Sequence, residues 1–120
     1  MEIPIEFKIF GTTITVELDN DYCDGEGVFG MARHSIDRIT LSDNVIENNT
    51  RTILPPVAKE ISYLHEVIHV ILRHTRLHKE LENKKIDVEK FVDLMSRALH
   101  QVFQTSIYDE KTNIKDASKE

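Results

Sequence analysis

Tryptophan is absent from these 120 residues, cysteine occurs once, and there are only three Pro and four Gly. A lone Cys23 cannot close an intramolecular disulfide, so no covalent staple holds the chain together. Scarce Gly and Pro, without a period, exclude collagenous and repeat-array architectures and argue against disorder. Long apolar runs are also missing. The longest uninterrupted stretches are a few residues, as at Val70 to Leu72, far short of the roughly 20 needed to cross a bilayer. The first ten residues carry Glu2, Glu6 and Lys8 among apolar ones, which is not the pattern of a signal peptide. Together these absences point to a cytoplasmic protein. Positive charge is in deficit, with 15 Lys and Arg against 21 Asp and Glu and a net charge of −6. That balance disfavours nucleic acid and anionic membranes as partners. Oligomeric state is not specified by any of this.

The chain is 40% hydrophobic and 30% charged, enough for one core and one domain. Ile3, Ile5, Phe7 and Ile9 alternate with polar residues, and Ile14, Val16 and Leu18 resume the alternation after Gly11, which predicts two strands around a tight turn. Asp19 to Gly27, rich in Asp and Gly, reads as a loop. Val28 to Arg33 and Ile36 to Leu41 then pair through a turn near His34 and Ser35, making the first third antiparallel sheet. Ser42 to Thr52 is polar and gives no clear signal.

Pro55 and Pro56 suit a helix start, and Val57, Ile61, Leu64, Ile68 and Leu72 follow at helical spacing, predicting a helix from about Pro56 to Arg76. After a loop over His78 to Ile86, Asp87 offers an N-cap. Val88, Phe91, Val92, Met95, Leu99, Val102 and Phe103 then form an apolar stripe, predicting a second helix from Val88 to about Ser106. Residues 109–120 have little to bury and read as a frayed charged tail, leaving residues 1–108 as the domain.

Four of the six histidines lie between His65 and His78. Two of them belong to His65-Glu66-Val67-Ile68-His69, an H-E-x-x-H sequence inside the first predicted helix. Residues four apart share a helix face, so both imidazoles can address one ion while Glu66 sits beside them, unligated. A catalytic zinc takes a third protein ligand and keeps its fourth position open. Glu89 on the second helix is the candidate for that third ligand. Asp93, one turn on, is placed to accept a hydrogen bond from a ligating imidazole. His74 and His78 compete with Glu89 only if the first helix breaks early.

His65-Glu66-x-x-His69, followed by Glu89 and then by Asp93 four residues later, resembles the thermolysin-type gluzincin metallopeptidases, and the short chain is similar to their minimal members. The resemblance implies an α+β, zincin-like fold: a small twisted antiparallel sheet, an active-site helix and a glutamate-bearing second helix. It further implies Zn2+ held by His65, His69 and Glu89, Glu66 as general base, Asp93 orienting His65, and a peptide or protein substrate, cut as by an endopeptidase. The metzincin pattern is not met, because Leu72 and Thr75 stand where its Gly and third His would be.

Larger gluzincins use a His or Tyr from a second domain to steady the tetrahedral intermediate, and this chain has no room for that domain. His100, on the flank of its helix that carries Glu89 and Asp93, is the candidate for that catalytic role, with Tyr63 and Tyr108 behind it. Ile36 to Leu41 is the candidate edge for pairing with a substrate strand. Glu17, Asp19, Asp21, Asp24 and Glu26 make an acidic run that reads as a solvated turn rather than a calcium loop, and Cys23 within it is a candidate inhibitory ligand. The alternative to an enzyme is a noncatalytic module in which zinc pins the two helices and the surface binds another protein.

Overall fold

A computed structural model describes residues 1–108; the tail expected over 109–120 lies outside the described residues. Strand β1 (Glu6–Ile9) reverses into β2 (Thr12–Leu18) through Phe10 and Gly11, with φ of 47° and 81°. Positive φ at both central residues is the type I′ turn whose twist suits a two-residue hairpin, and Ile9 pairs with Thr12 across it.

Asp19 to Gly27 is not a loop. The Asp19 carboxylate accepts the Tyr22 N–H at 3.0 Å as an N-cap, and Gly27 closes the segment at φ 68°, giving helix α1 (Asn20–Glu26). The chain then runs back along β3 (Gly30–Arg33), reverses in a 3₁₀ turn (His34–Ile36) and enters β4 (Arg38–Leu41). The strand order is β1-β2-β4-β3, with β3 antiparallel to β4 and β4 parallel to β2. The sheet is therefore mixed rather than antiparallel throughout. Strand β4 is interior, so Ile36 to Leu41 offers no free edge; the open edge on that side belongs to β3.

Asn44–Glu47 (β5) and Thr50–Ile53 (β6) form a separate hairpin, turning through Asn48 and Asn49 at φ 51° and 63°. Helix α2 (Pro56–Thr75) has Pro at its first position, as its sequence predicts, and stops where Arg76 enters the left-handed region at φ 63°. A short helix α3 (Leu77–Asn83) occupies most of the expected loop. Helix α4 (Val88–Thr105) starts at Asp87, whose carboxylate accepts the Lys90 N–H at 3.1 Å.

Helix α2 is the middle layer. Tyr63, Leu64 and Val70 pack on Ile14, Ala32, Ile39 and Leu41 of the sheet, while Ile68 and Leu72 pack on Val92 of α4. Each such buried aliphatic side chain contributes about 1.5–3 kcal/mol, so two separate faces hold α2 in one position. The α4 stripe is only partly used. Val92 is fully buried and Leu99 packs beside both clusters, but Met95, Val102 and Phe103 are exposed among the described residues.

One polar contact is buried between α2 and α4. Glu60 Oε1 accepts from His100 Nε2 at 2.9 Å, from Gln104 Nε2 at 3.0 Å and from the Met1 ammonium at 3.1 Å. The bond from His100, with the Met1 ammonium acting in the same direction against the cost of burial, holds the Glu60 carboxyl below the ordinary glutamate value. A depressed carboxyl adds stability above its unfolded pKa and loses it as pH falls through the folded value. Glu60→Ala should therefore cost about 1–3 kcal/mol at neutral pH, because it strands the buried His100 donor. Urea unfolding should show the variant losing less than the wild type between pH 6 and the acid range; parallel losses would remove Glu60 as the source.

Candidate metal centre

The two histidines of the H-E-x-x-H sequence lie on consecutive turns of α2, and their Nε2 atoms are 3.2 Å apart. Glu89, in the first turn of α4, reaches both: its Oε1 is 2.9 Å from His69 Nε2 and its Oε2 is 3.4 Å from His65 Nε2. These three residues are the group among the described residues whose donor atoms could hold a metal, all within 4.8 Å of one another. Tetrahedral N and O ligands about 2.0–2.1 Å from zinc lie about 3.3 Å from each other, so the donor spacing suits such an ion. Two imidazole nitrogens face to face at 3.2 Å also need a proton or a cation between them, since two lone pairs repel. The donor set therefore fits zinc in kind, number and separation.

Asp93 lies one turn beyond Glu89 on the same side of α4, and its Oδ1 is 3.0 Å from His65 Nδ1. That contact keeps the proton on Nδ1 and leaves the Nε2 lone pair for a metal. His69 is held below the ordinary histidine value by burial, with Glu89 pulling the other way. The neutral imidazole is the form that ligates.

Glu66 is buried on the α2 side of the sheet edge, and its Oε1 accepts the Ala32 N–H at 3.0 Å. The register explains why that N–H is available. Ser42 N–H donates to the Phe29 carbonyl at 2.9 Å, so in the antiparallel ladder Phe29, Met31 and Arg33 direct their main-chain groups to β4, while Gly30 and Ala32 direct theirs to the open edge. Burial pushes the Glu66 carboxyl up to about 7; nearby His65 and the Ala32 N–H oppose that shift and Glu89 adds to it. Oε2 has no hydrogen-bond partner among the described residues, and no buried side-chain oxygen there is left without one, so Oε2 meets water. A cavity of about 390 Å³ opens on His65, Glu66, His69 and Glu89, and a neighbouring one of about 340 Å³ continues along β3 past Ser62 and Asp93.

His65, Glu66, His69, Glu89 and Asp93 thus converge. His100 does not join them: it is buried between α2 and α4, its Nε2 donates to Glu60, and it lines neither cavity. The helix flank it shares with Glu89 is right, but it lies three turns farther along α4. Tyr63 is buried in the core and Tyr108 is exposed at the end of the described chain. Helix α2 runs to Thr75, so His74 stays on it and His78 falls on α3, where its Nδ1 is 2.6 Å from Glu82. Cys23 is fully buried in α1, its thiol pushed up to about 11 by burial and by surrounding carboxylates, so it is no mobile inhibitory ligand. In the acidic run, Asp19 caps α1 and Asp24 pairs with Arg51 at 3.0 Å.

Sequence reasoning missed His34. It stands in the 3₁₀ turn after β3 and lines the same 390 Å³ cavity. Burial, with Arg73 and the imidazoles of His69, His74 and His78 nearby, holds it below the ordinary histidine value. A lone His in a predicted turn carries no spacing signal. No protein-family model, curated protein sequence or solved structure matches this chain.

Gly30 sets how closely β3 approaches α2. A Cβ there would meet Ser62 Oγ at 2.8 Å, Leu41 Cδ2 at 3.0 Å and Glu66 Cγ at 3.3 Å. Gly30→Ala should therefore cost about 1–3 kcal/mol in chemical denaturation and weaken protection of the Ala32 amide in hydrogen exchange. Unchanged exchange at Ala32 would show that the strand does not depend on this approach.

Proposed function

We propose that this chain is a zinc-dependent peptidase of minimal gluzincin type, in which His65, His69 and Glu89 hold the ion, Asp93 fixes His65, and Glu66 is the general base. The carrying observation is Glu66 itself: a buried carboxylate beside the three donors, one oxygen tied to Ala32 and the other open to water. A site that only pins helices has no use for a base so placed. Zinc bound there supplies Lewis acidity, making water more acidic and polarising a carbonyl.

The remaining work falls to the chain. Glu66 Oε2 takes a proton from the attacking water and returns it to the leaving amide nitrogen as the C–N bond breaks. Its Oε1 stays on the Ala32 N–H, so the carboxylate does not swing between the two transfers. The outward main-chain groups of Gly30, with the Ala32 carbonyl, offer an extended peptide a strand to pair with beside the base. A substrate strand laid there puts a peptide carbonyl over the cavity that holds Glu66.

Metal analysis of the purified protein should find about one zinc per chain, lost in His69→Ala and Glu89→Ala. Asp93→Ala should weaken zinc binding about 10–100-fold. Glu66→Gln should keep the ion and lose on the order of 10²-fold or more in turnover of a peptide library. Equal turnover in wild type and Glu66→Gln would end the catalytic reading in favour of the zinc-stabilised module.

A further inference from the structure

We propose that His34 is a catalytic residue that donates an N–H to the scissile carbonyl oxygen as that oxygen becomes negative. The inference rests on the peptidase reading and fills the part His100 leaves empty. Attack on a peptide carbonyl moves an electron pair onto oxygen, and a donor aimed at that developing charge lowers the barrier.

The cavity at the metal cluster has two walls. One, from α2 and α4, carries His65, Glu66, His69 and Glu89; the other is β3 and the turn behind it. On that second wall the lining side chains Val28, Met31 and Ala32 have no N–H or O–H, and Gly30 has no side chain at all. His34 is the one side chain of that wall able to donate a hydrogen bond.

Three observations keep it available. It lies outside the ligand trio, whose donors are all within 4.8 Å of one another. Neither ring nitrogen has a hydrogen-bond partner among the described residues, and no buried side-chain nitrogen there is left without one, so both meet water. The backbone beneath is fixed: the Asp37 N–H closes the turn on the His34 carbonyl at 3.4 Å, with Asp37 in the left-handed region at φ 51°. An imidazole keeps at least one N–H in either protonation state. In the balanced step the water oxygen bonds to the carbonyl carbon, the C–N bond breaks, and Glu66 carries the proton from water to nitrogen. His34 lends a hydrogen bond and transfers nothing.

The test compares full-length, zinc-loaded wild type, His34→Ala, His34→Leu and His34→Gln on one peptide and on its phosphonate analogue, whose tetrahedral anion imitates the oxyanion. Loss of the donor in the Ala and Leu variants should lower kcat on the order of 10²-fold, with the phosphonate affinity falling alongside. KM should stay within about twofold, because the interaction forms only in the transition state. His34→Gln, with an amide N–H, should recover part of both losses, and zinc affinity by chelator competition should be unchanged in all three. Should Ala disturb the turn, Leu keeps the bulk without the donor and circular dichroism shows which variant is folded. Equal kcat and equal phosphonate affinity in wild type and the donor-free variants would overturn the assignment. So would a loss of zinc affinity of about tenfold or more, which would make His34 a ligand. Equal turnover in wild type and Glu66→Gln would instead overturn the peptidase reading itself, and that result is read on a different variant.

Discussion

The bond from the Ala32 amide to Glu66 ties the open edge of the sheet to the middle of α2. An edge amide facing away from its ladder ordinarily spends itself on water. Here it meets a carboxylate in a buried setting, where an unmade bond costs more than a made one gains. The contact needs β3 close to α2, and Gly30, two residues earlier on the same strand face, provides the closeness. With edge and helix locked together, the groove floor, Glu66 and the two imidazoles form one rigid piece. Only α4 then has to dock to bring Glu89 and Asp93 into register.

That docking uses a different set of forces. The α2 and α4 helices meet through Ile68, Leu72 and Val92 near the metal residues and through the Glu60 to His100 contact farther along. The apolar patch sets how near the helices lie, and the polar contact sets which way α4 points. The three candidate donors are therefore placed by packing alone, as preorganised sites require. The cost is two buried carboxylates on α2, Glu60 in its second turn and Glu66 at its middle, each satisfied by a donor from a different element.

Much of this was legible in the chain because it depends on local period. The spacing of His65 and His69, the Pro start of α2, the Asp87 cap and the α4 stripe all act within a turn or two of helix, and the structure reproduces them. What escaped depends on partners distant in sequence or on punctuation that reads two ways. Asp19 and Gly27 bracket a helix as readily as they bracket a loop. Asn48-Asn49 is a hairpin signal set in a segment with little else to mark it. The parallel pairing of β2 with β4 follows from how the chain crosses at α1, which no residue pattern records. His100 was misplaced because a helix flank fixes direction around the axis and not distance along it. His34 was overlooked because only the fold brings its turn to the cluster.

The candidate donor trio is unevenly covered. The His65 and His69 side chains are 20% and 16% exposed, whereas Glu89 is 67% exposed. Two arms of the seat are thus prepaid in the folded core, and the third stands in bulk water, free to swing aside at small cost in desolvation. If zinc is held there as proposed, a cation arriving from solution would meet the imidazoles first and be clasped by the acid afterwards, and a chelator would draw it out along the same path in reverse. Occupancy of such a seat would then follow the free metal level around the protein rather than being sealed in at folding.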